Sequence, residues 1–477
     1  MNNLSQELMK SWIRLGPRFL PFADAATLDL PLSRLLRLSL IQVSVGMSLV
    51  LLVGTINRVM IVELGIKASI VSVMLCLPLL FAPLRALIGF RSDTHRSVLG
   101  WKRIPFIFRG TMVQFGGLAI MPFALLVLSG GGNAAAWPAW IGPAMAGLAF
   151  LLVGAGIHTT QTVGLALATD QALPESRPKV VGLMYVMLLL GTIASAVAFG
   201  WFLQDFTPAR LIQVIQGSAV ATVVLNACAL WKQEPLKRAE PGDVALAAPN
   251  FSQAWATYMQ GPQAMRRLIV IGLGTMAFGM QDVLLEPYGG DILHLTVSAT
   301  TLLTATLATG GLLGFGFASH VLARGADPFR LASIGAFMGA VAFIAIIAAA
   351  PLSLALLFKV GVFFLGCGGG LFSHGTLTAS MNAAPKQQAG LALGAWGAVQ
   401  ATAAGIGIGL GGVIRDLVSA LPFATSFGPA AGYNAVYAIE IFLLLVTLVT
   451  ALPMLRRPKT ESFLQSNFEL DPINKTT

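Results

Sequence analysis

GFRSDTHRSVLGWKR, residues 89–103, is the densest charged turn in the first half of a chain in which only 10% of the residues are charged. Long apolar runs precede and follow this turn, and its charge is mostly basic. Cytoplasmic loops of membrane proteins carry an excess of Lys and Arg. The turn is therefore predicted to lie on the cytoplasmic side of a membrane, where the two flanking runs are joined.

The composition excludes an ordinary soluble protein. Of the 477 residues, 56% are hydrophobic, and the mean hydropathy is +0.78. Soluble domains average about 45–50% apolar and about 25% charged residues. The three cysteines, Cys76, Cys228 and Cys367, each stand alone in an apolar run, so the spacing supports neither a disulfide framework nor structural zinc. We expect a polytopic membrane protein whose first span is inserted without cleavage.

Twelve apolar runs are long enough to cross a membrane, since a spanning helix needs about 20 residues. Their approximate limits are Leu38–Val62, Ala68–Phe90, Ile104–Leu128, Trp140–Asp170, Val180–Leu203, Ile212–Leu230, Leu268–Pro287, Ala299–Val321, Phe329–Ala349, Leu352–Met381, Gly390–Leu417 and Tyr433–Leu452.

Lys and Arg alternate in abundance from loop to loop, which places both termini and the long middle loop in the cytoplasm. The net charge of +10 thus reflects membrane topology, and we expect no nucleic-acid partner. The predicted organisation is a cytoplasmic or interfacial segment (1–37), a first six-helix bundle (38–231), a linker loop (232–266), a second six-helix bundle (267–453) and a cytoplasmic tail (454–477).

An internal repeat supports this division. Gly89-Phe90-Arg91-Ser92-Asp93 follows the second span, and Gly316-Phe317-Ala318-Ser319-His320 follows the eighth. The ends of the fourth and tenth spans, 168–174 and 379–385, also match. Twelve spans in two parallel halves predict an all-α membrane protein with the major facilitator fold, in which both termini are cytoplasmic.

The opening turn also resembles the loop signature of that superfamily, in a slightly stretched form. We expect a charge latch in which Asp93 pairs across the interface between the halves in one conformation. The alternative is a solvated turn that only obeys the charge rule. The residues concerned are Gly89, Asp93, Arg96, Lys102 and Arg103.

Further stretches are distinctive: residues 54–64, 91–95, 100–107, 279–290 and 392–397. They resemble the PucC/LhaA family, and the similarity extends over about residues 30–457. That family comprises facilitator-like proteins of phototrophic bacteria that are associated with assembly of light-harvesting antenna complexes and described as bacteriochlorophyll-delivery proteins. The N-terminal stretches 20–24 and 31–37 resemble the core-antenna branch, LhaA, more than the peripheral-antenna branch.

The resemblance implies an antenna-assembly factor of the bacterial inner or intracytoplasmic photosynthetic membrane, with bacteriochlorophyll as cargo or ligand. The implied partners are membrane lipids, antenna α/β polypeptides, and the pigment-synthesis and membrane-insertion machinery. The alternative is a secondary transporter that moves a tetrapyrrole or another small solute by alternating access. A scaffold with a collapsed cavity is a third reading. No nucleophile–base set, P-loop or HExxH motif supports catalysis.

Ionisable residues within spans are costly and need a partner, a cavity or an interface. Arg58 and Asp282 lie at similar depths and are predicted to form an outer gate pair, unless each pairs locally with Glu63 or Glu286. Lys359 and Glu440, also matched in depth, are predicted to form a structural ion pair within the second half; the alternative is a proton relay. The best candidates for a cavity carboxylate, Asp282, Glu286 and Glu440, are expected toward one side of the cavity or outside it.

Two histidines, His158 and His374, lie in spans expected to line the cavity. A neutral imidazole can ligate the magnesium of a chlorin, although an intramembrane histidine more often packs through hydrogen bonds. Apart from this pigment magnesium, no metal site is predicted. Gln161 and Gln281 are further candidates for pigment contact, or they cross-link helices.

Overall fold

The computed structural model is helical in nearly all of the chain that it describes. The described residues are 30–81, 88, 91–92, 101–173, 176–234, 259, 263–382 and 389–455. Gly89, Asp93 and Arg96 of the predicted latch lie outside these residues.

Twelve helices run through the described residues, and no strand occurs among them. Eleven are long and apolar enough to cross a membrane, while α2 is a shorter apolar helix followed by a 3-10 turn at Leu77–Phe81. The helices are α1 (Leu32–Glu63), α2 (Ala68–Cys76), α3 (Ile104–Leu128), α4 (Ile141–Gln171), α5 (Arg177–Phe202), α6 (Pro208–Leu230), α7 (Ala264–Asp291), α8 (Val297–Ala323), α9 (Pro328–Ala349), α10 (Ala355–Asn382), α11 (Ala389–Ser419) and α12 (Ala431–Ala451).

Helix starts follow local sequence signals. Asp327 precedes α9, and its Oδ1 accepts the backbone N–H of Phe329 at 2.8 Å. Thr296 caps α8 in the same way, accepting the backbone N–H of Ala299 at 3.2 Å. Such oxygens satisfy donors that lack partners inside the helix. Within the hydrocarbon, the helix itself must satisfy the remaining backbone groups.

Small residues let the helices of the second half approach closely. A Cβ at Gly335 of α9 would lie 2.5 Å from the carbonyl oxygen of Gly368 on α10, and a Cβ at Gly368 would lie 2.6 Å from that of Gly335. Only glycine permits this separation, which increases the van der Waals contact that holds membrane helices together.

Buried polar side chains tie α1, α3 and α6 together in the first half. Gln114 donates to Ser48 Oγ at 2.7 Å, and Ser44 donates to Asn226 Oδ1 at 2.8 Å. Asn226 in turn donates to Thr111 Oγ1 at 2.9 Å. These groups satisfy one another inside an apolar bundle and therefore stabilise the first half.

Glu234, at the start of the middle loop, caps α3 at its cytoplasmic end. Its carboxylate accepts the backbone N–H groups of Lys102, Arg103 and Ile104 at 2.7–3.0 Å. A negative charge at this position also suits the positive end of the helix dipole. The first residues of the loop are therefore part of the first half.

The basic end of the opening turn also belongs to the first half. Arg103 donates to Asp170 Oδ2 of α4 at 2.9 Å and to Ser92 Oγ at 2.5 Å. Arg34 likewise donates to Gln233 Oε1 at 3.1 Å. A pairing of Asp93 across the halves lies outside the described residues and stays a prediction.

The cap at Glu234 leads to a first prediction. Glu234→Ala should destabilise the protein by about 1–2 kcal/mol, because the first N–H groups of α3 lose their acceptor. Thermal unfolding of the purified protein in detergent measures the loss. The control is Asp205→Ala: Asp205 and Arg210 form an exposed pair at 2.9 Å, which is worth about 0–1 kcal/mol. Equal loss in the two variants would contradict the capping role.

Candidate functional site

A cavity of about 470 Å³ lies between the two halves. Six helices line it: α1 and α5 of the first half and α7, α8, α10 and α11 of the second. Its lining residues are Leu49, Tyr185, Leu188, Leu189, Thr192, Phe278, Gln281, Asp282, Thr304, Leu307, Ala308, Gly311, Phe315, Leu365, Gly366, Gly369, Gly370, Ser373, Leu377, Trp396 and Gln400.

One charged residue, Asp282, occurs among the described residues that line the cavity. Its carboxylate accepts a hydrogen bond from the neighbouring Gln281 side chain. Of the two positions expected for Asp282, the structure shows the first: it lies at one side of the cavity and not outside it. The cavity is an apolar chamber with one carboxylate on the α7 side and a few neutral polar groups.

The outer ends of the two halves are tied together by hydrogen bonds. Asn57 of α1 donates to the carbonyl oxygen of Val283 on α7 at 3.1 Å. Ser298 of α8 donates to that of Gly200 on α5 at 2.6 Å. Every hydrogen bond between the halves that joins two described residues lies in this outer region. The cavity is thus closed on the outside.

Towards the cytoplasm, the cavity continues along the inner parts of its lining helices. Tyr185 lies near the start of α5, Leu377 near the end of α10 and Trp396 near the start of α11. The Trp396 indole donates to Thr376 Oγ1 at 3.2 Å, which fixes the ring beside the chamber. The described residues thus close the outer end of a chamber that extends towards the cytoplasmic side.

A charged cluster at the outer end of α11 contributes to this closure. Asp416 accepts the backbone N–H of Ser69 at 2.7 Å, so a residue of the second half caps α2 of the first half. Beside it, Arg415 pairs with Asp416 at 2.8 Å and with Asp291 at 3.3 Å. Tyr433 donates to Asp291 at 2.6 Å. Sequence reasoning missed this cluster, although a charged pair at the end of an apolar run was a visible signal.

Arg58 does not pair with Asp282, so the predicted gate pair is wrong. Its guanidinium forms an ion pair with Glu63, five residues along the same helix, and donates to the carbonyl oxygen of Leu295 at 3.2 Å. Arg58 also interacts electrostatically with Glu286, which is buried and accepts a hydrogen bond from Thr304 on α8. The local alternative therefore describes Arg58, whereas the side-chain partner of Asp282 is Gln281.

Lys359 and Glu440 do not form the predicted ion pair either. Lys359 is exposed, whereas Glu440 is fully buried and interacts electrostatically with Asp282. Phe358, the neighbour of Lys359, packs on Tyr288 with ring centroids 5.5 Å apart. Equal depth did not place the two charges together, because they point in different directions around their helices.

The predicted pigment contacts divide into one residue in the cavity and three outside it. Gln281 lines the cavity, whereas His158, His374 and Gln161 are not among its lining residues. The His374 ring lies 4.2 Å from that of Phe315, centroid to centroid. Gln161 donates to Gln42 within the first half at 3.4 Å. Among the described residues, no group of His, Cys, Asp and Glu side chains is arranged to hold a metal ion.

The helices and their arrangement in two halves have the major facilitator fold. The structure resembles a bacterial homologue of the iron transporter ferroportin in an inward-facing state, with a TM-score of 0.64 at 15% identity over 89% of this chain and 99% of that chain. It also resembles a POT family transporter, with a TM-score of 0.62 at 14% identity over 89% and 96% of the two chains. At such identities the likeness shows the fold alone.

The chain belongs to the PucC family, since the family model "PUCC protein" matches residues 55–459. It is 58% identical to Protein PucC of Cereibacter sphaeroides over 447 residues, 93% of this chain and 96% of that protein. Identity to Protein PucC of Rhodovulum sulfidophilum is 61% over 423 residues, 88% and 92% of the two chains.

A more distant relative is the "Bacteriochlorophyll synthase 44.5 kDa chain" of Rhodobacter capsulatus. It is 28% identical over 433 residues, which is 89% of this chain and 97% of that protein. The family and the multi-pass membrane architecture predicted from sequence are thus confirmed. The closer resemblance to the LhaA branch stays a prediction.

Proposed function

We propose that this protein is an assembly factor for bacterial light-harvesting antenna complexes, for the core complex in particular. It handles bacteriochlorophyll, nascent antenna polypeptides, or both, within the photosynthetic membrane. The observation that supports this proposal most is a largely apolar central cavity, closed at its outer end, in a member of the PucC family.

The lining of the cavity suits a large apolar ligand with a few polar atoms. Phe278, Phe315 and Trp396 offer aromatic surface, and the volume of 470 Å³ falls within the roughly 300–1,000 Å³ of small-molecule sites. Gln281 and Gln400 also line it, and magnesium prefers oxygen ligands. These amides are better placed than His158 or His374 to contact the magnesium of a pigment cargo in this cavity.

The proposed role is binding and handling, without catalysis. The single carboxylate of the cavity is held by a glutamine, an arrangement that suits recognition of a ligand. Pigment reaches the cavity from the lipid or the cytoplasmic side, because the outer side is closed. The antenna polypeptides and the pigment-synthesis and insertion machinery remain the proposed partners.

A second candidate function is secondary transport of a tetrapyrrole or another small solute. Two observations favour it: Asp282 lines the cavity, and the hydrogen bonds between described residues of the two halves lie in the outer region. These are the features that alternating access requires. Uptake of the pigment into proteoliposomes would separate transport from handling.

A matched pair of glycine substitutions on α8 tests whether the cavity holds the ligand. Gly311 lines the cavity, and a Cβ there would meet nothing closer than 3.8 Å; a Cβ at Gly316 would meet nothing within 4 Å. We expect Gly311→Leu to reduce pigment that copurifies in mild detergent by about tenfold, which corresponds to about 1.4 kcal/mol of binding energy. Gly316→Leu should retain the pigment.

Absorption spectra and mass spectrometry of the purified protein measure pigment and partner proteins together. If the unaltered protein carries neither pigment nor antenna or pigment-synthesis proteins, the handling function is wrong. If both leucine variants retain equal pigment, the ligand lies elsewhere on the molecule.

A further inference from the structure

Glu440 is the most deeply buried carboxyl group of the second half, since its relative exposure is 0%. It lies on α12, against the backbone of Gln281, and interacts electrostatically with Asp282 on α7. Neither of its carboxylate oxygens has a hydrogen-bonded side chain among the described residues. The carboxyl group is thus buried beside a second carboxyl group without a side-chain donor.

The described cations near this region are paired elsewhere or point away. On α11 the only basic residue is Arg415, which is bound to Asp416, Asp291 and Tyr433. Lys359 of α10 is exposed. The only ionisable residue of α9 is Arg330, in its first turn at the cytoplasmic end. No described basic side chain therefore forms an ion pair with Glu440.

Tyr437, one turn before Glu440 on α12, supplies a second observation. Its hydroxyl is fully buried, has no hydrogen-bond partner among the described residues and interacts electrostatically with Glu440. Its ring packs between Tyr288 of α7 and Phe343 of α9, with centroids 5.5 and 5.8 Å away. Packing therefore holds the buried Tyr437 hydroxyl within electrostatic range of the Glu440 carboxyl group.

Two neighbouring carboxylates without a cation cannot both remain ionised in an apolar bundle, because burial and their mutual repulsion each favour the neutral form. A proton on one of them removes the repulsion and provides the missing hydrogen-bond donor. A shared proton is the smallest ligand that satisfies this cluster.

We propose that Asp282 and Glu440 together bind one exchangeable proton, with Tyr437 positioned to hydrogen-bond the Glu440 carboxyl group. Asp282 also lines the central cavity, so it faces both the proton and any cavity occupant. An occupant that contacts Asp282 changes proton binding, and by linkage the proton changes binding of the occupant. The cavity is thereby coupled to pH, whichever cargo it accepts.

Infrared difference spectroscopy of the full-length protein in detergent, titrated over roughly pH 5–9, tests the site. We expect a protonated-carboxyl C=O band that titrates in the unaltered protein and in the control Asp205→Asn, whose carboxylate is exposed. Glu440→Gln should abolish the band. Asp282→Asn should move its midpoint to lower pH, because a neighbouring negative charge favours proton binding. An unchanged band in Glu440→Gln overturns the proposal.

Tyr437→Phe keeps the ring and removes only the hydroxyl. Loss of a hydrogen bond to the carboxyl group should shift the frequency of the same band, whereas a residue that only packs would leave it in place. An unshifted band removes Tyr437 from the site.

A labelling experiment needs no substitution and serves if Glu440→Gln does not fold. Dicyclohexylcarbodiimide, an apolar reagent, modifies protonated carboxyl groups, and mass spectrometry locates the adduct. We expect modification of Glu440 that declines as the pH rises. Absence of the adduct at every pH would show that Glu440 holds no exchangeable proton.

Discussion

Asp416→Ala should open the outer end of the cavity to water-soluble reagents. The substitution removes the carboxylate that accepts the Ser69 N–H at 2.7 Å and that pairs with Arg415, so α2 and α11 lose a charge-assisted tie between the halves. Hydrogen bonds to charged groups contribute about 1.5–3 kcal/mol. Such a loss shifts the balance between closed and open outer ends by roughly ten- to a hundredfold.

A cysteine reporter in the cavity measures this opening. Gly311→Cys is introduced after Cys76, Cys228 and Cys367 have been replaced by serine, and right-side-out vesicles are treated with a membrane-impermeant maleimide. Labelling should be slow with Asp416 present and rise at least about tenfold with Asp416→Ala.

Asp327→Ala is the matched control. Asp327 also caps a helix, but the helix is α9 of its own half and the cap lies at the cytoplasmic end. Its removal should therefore destabilise the protein without increasing labelling from outside. Equal labelling in the two variants would attribute the effect to general loosening, and Asp416 would then have no role in the closure.

Arg58→Gln should be among the most destabilising substitutions in the chain. The Arg58 side chain is 5% exposed, is paired with Glu63 and lies near the buried carboxylate of Glu286. Removal of one partner from a buried charge pair costs about 3–5 kcal/mol, because the other charge is left uncompensated. Thermal unfolding in detergent should show a correspondingly large fall in stability.

A second substitution identifies the cause. Glu286→Gln in the Arg58→Gln background replaces the uncompensated carboxylate with a neutral amide, whose oxygen can still accept the hydrogen bond from Thr304. We expect it to restore much of the lost stability, whereas Asp282→Asn in the same background should not. If Asp282→Asn restored the stability instead, the result would support an Arg58–Asp282 gate pair and contradict the geometry.

The number and order of the helices were predictable because apolar length is read directly from the chain. Their relative rotation was not. Arg58, Asp282, Lys359 and Glu440 were paired by depth, which follows from distance along each span. Helices that are apolar on nearly every face give no polar stripe from which the direction of a side chain can be inferred. Depth therefore located these residues along their spans but did not show which of them face each other, and the pairings predicted from depth were wrong.

The cavity shows the same division between what was predictable and what was not. Gln281 and Asp282 were recognised as candidates, since polar residues within a span are rare and usually functional. Glu234 and Asp416 were missed because each acts on backbone N–H groups of a distant helix. Every residue except proline carries a backbone N–H, so the sequence does not indicate which residue is the partner in such a contact. The geometry of helix ends decides it, and that geometry appears only after folding.

The ties at the outer closure have a consequence for how the family can diverge. Apart from the contact between Thr55 and Thr301, each hydrogen bond between described residues of the two halves uses a backbone group on one side. A backbone group remains whatever side chain its residue carries. The residue that supplies it can therefore be substituted in one half without a compensating substitution in the other. Correlated substitutions between relatives should therefore reveal the packing inside each half far better than the seam at which the molecule opens.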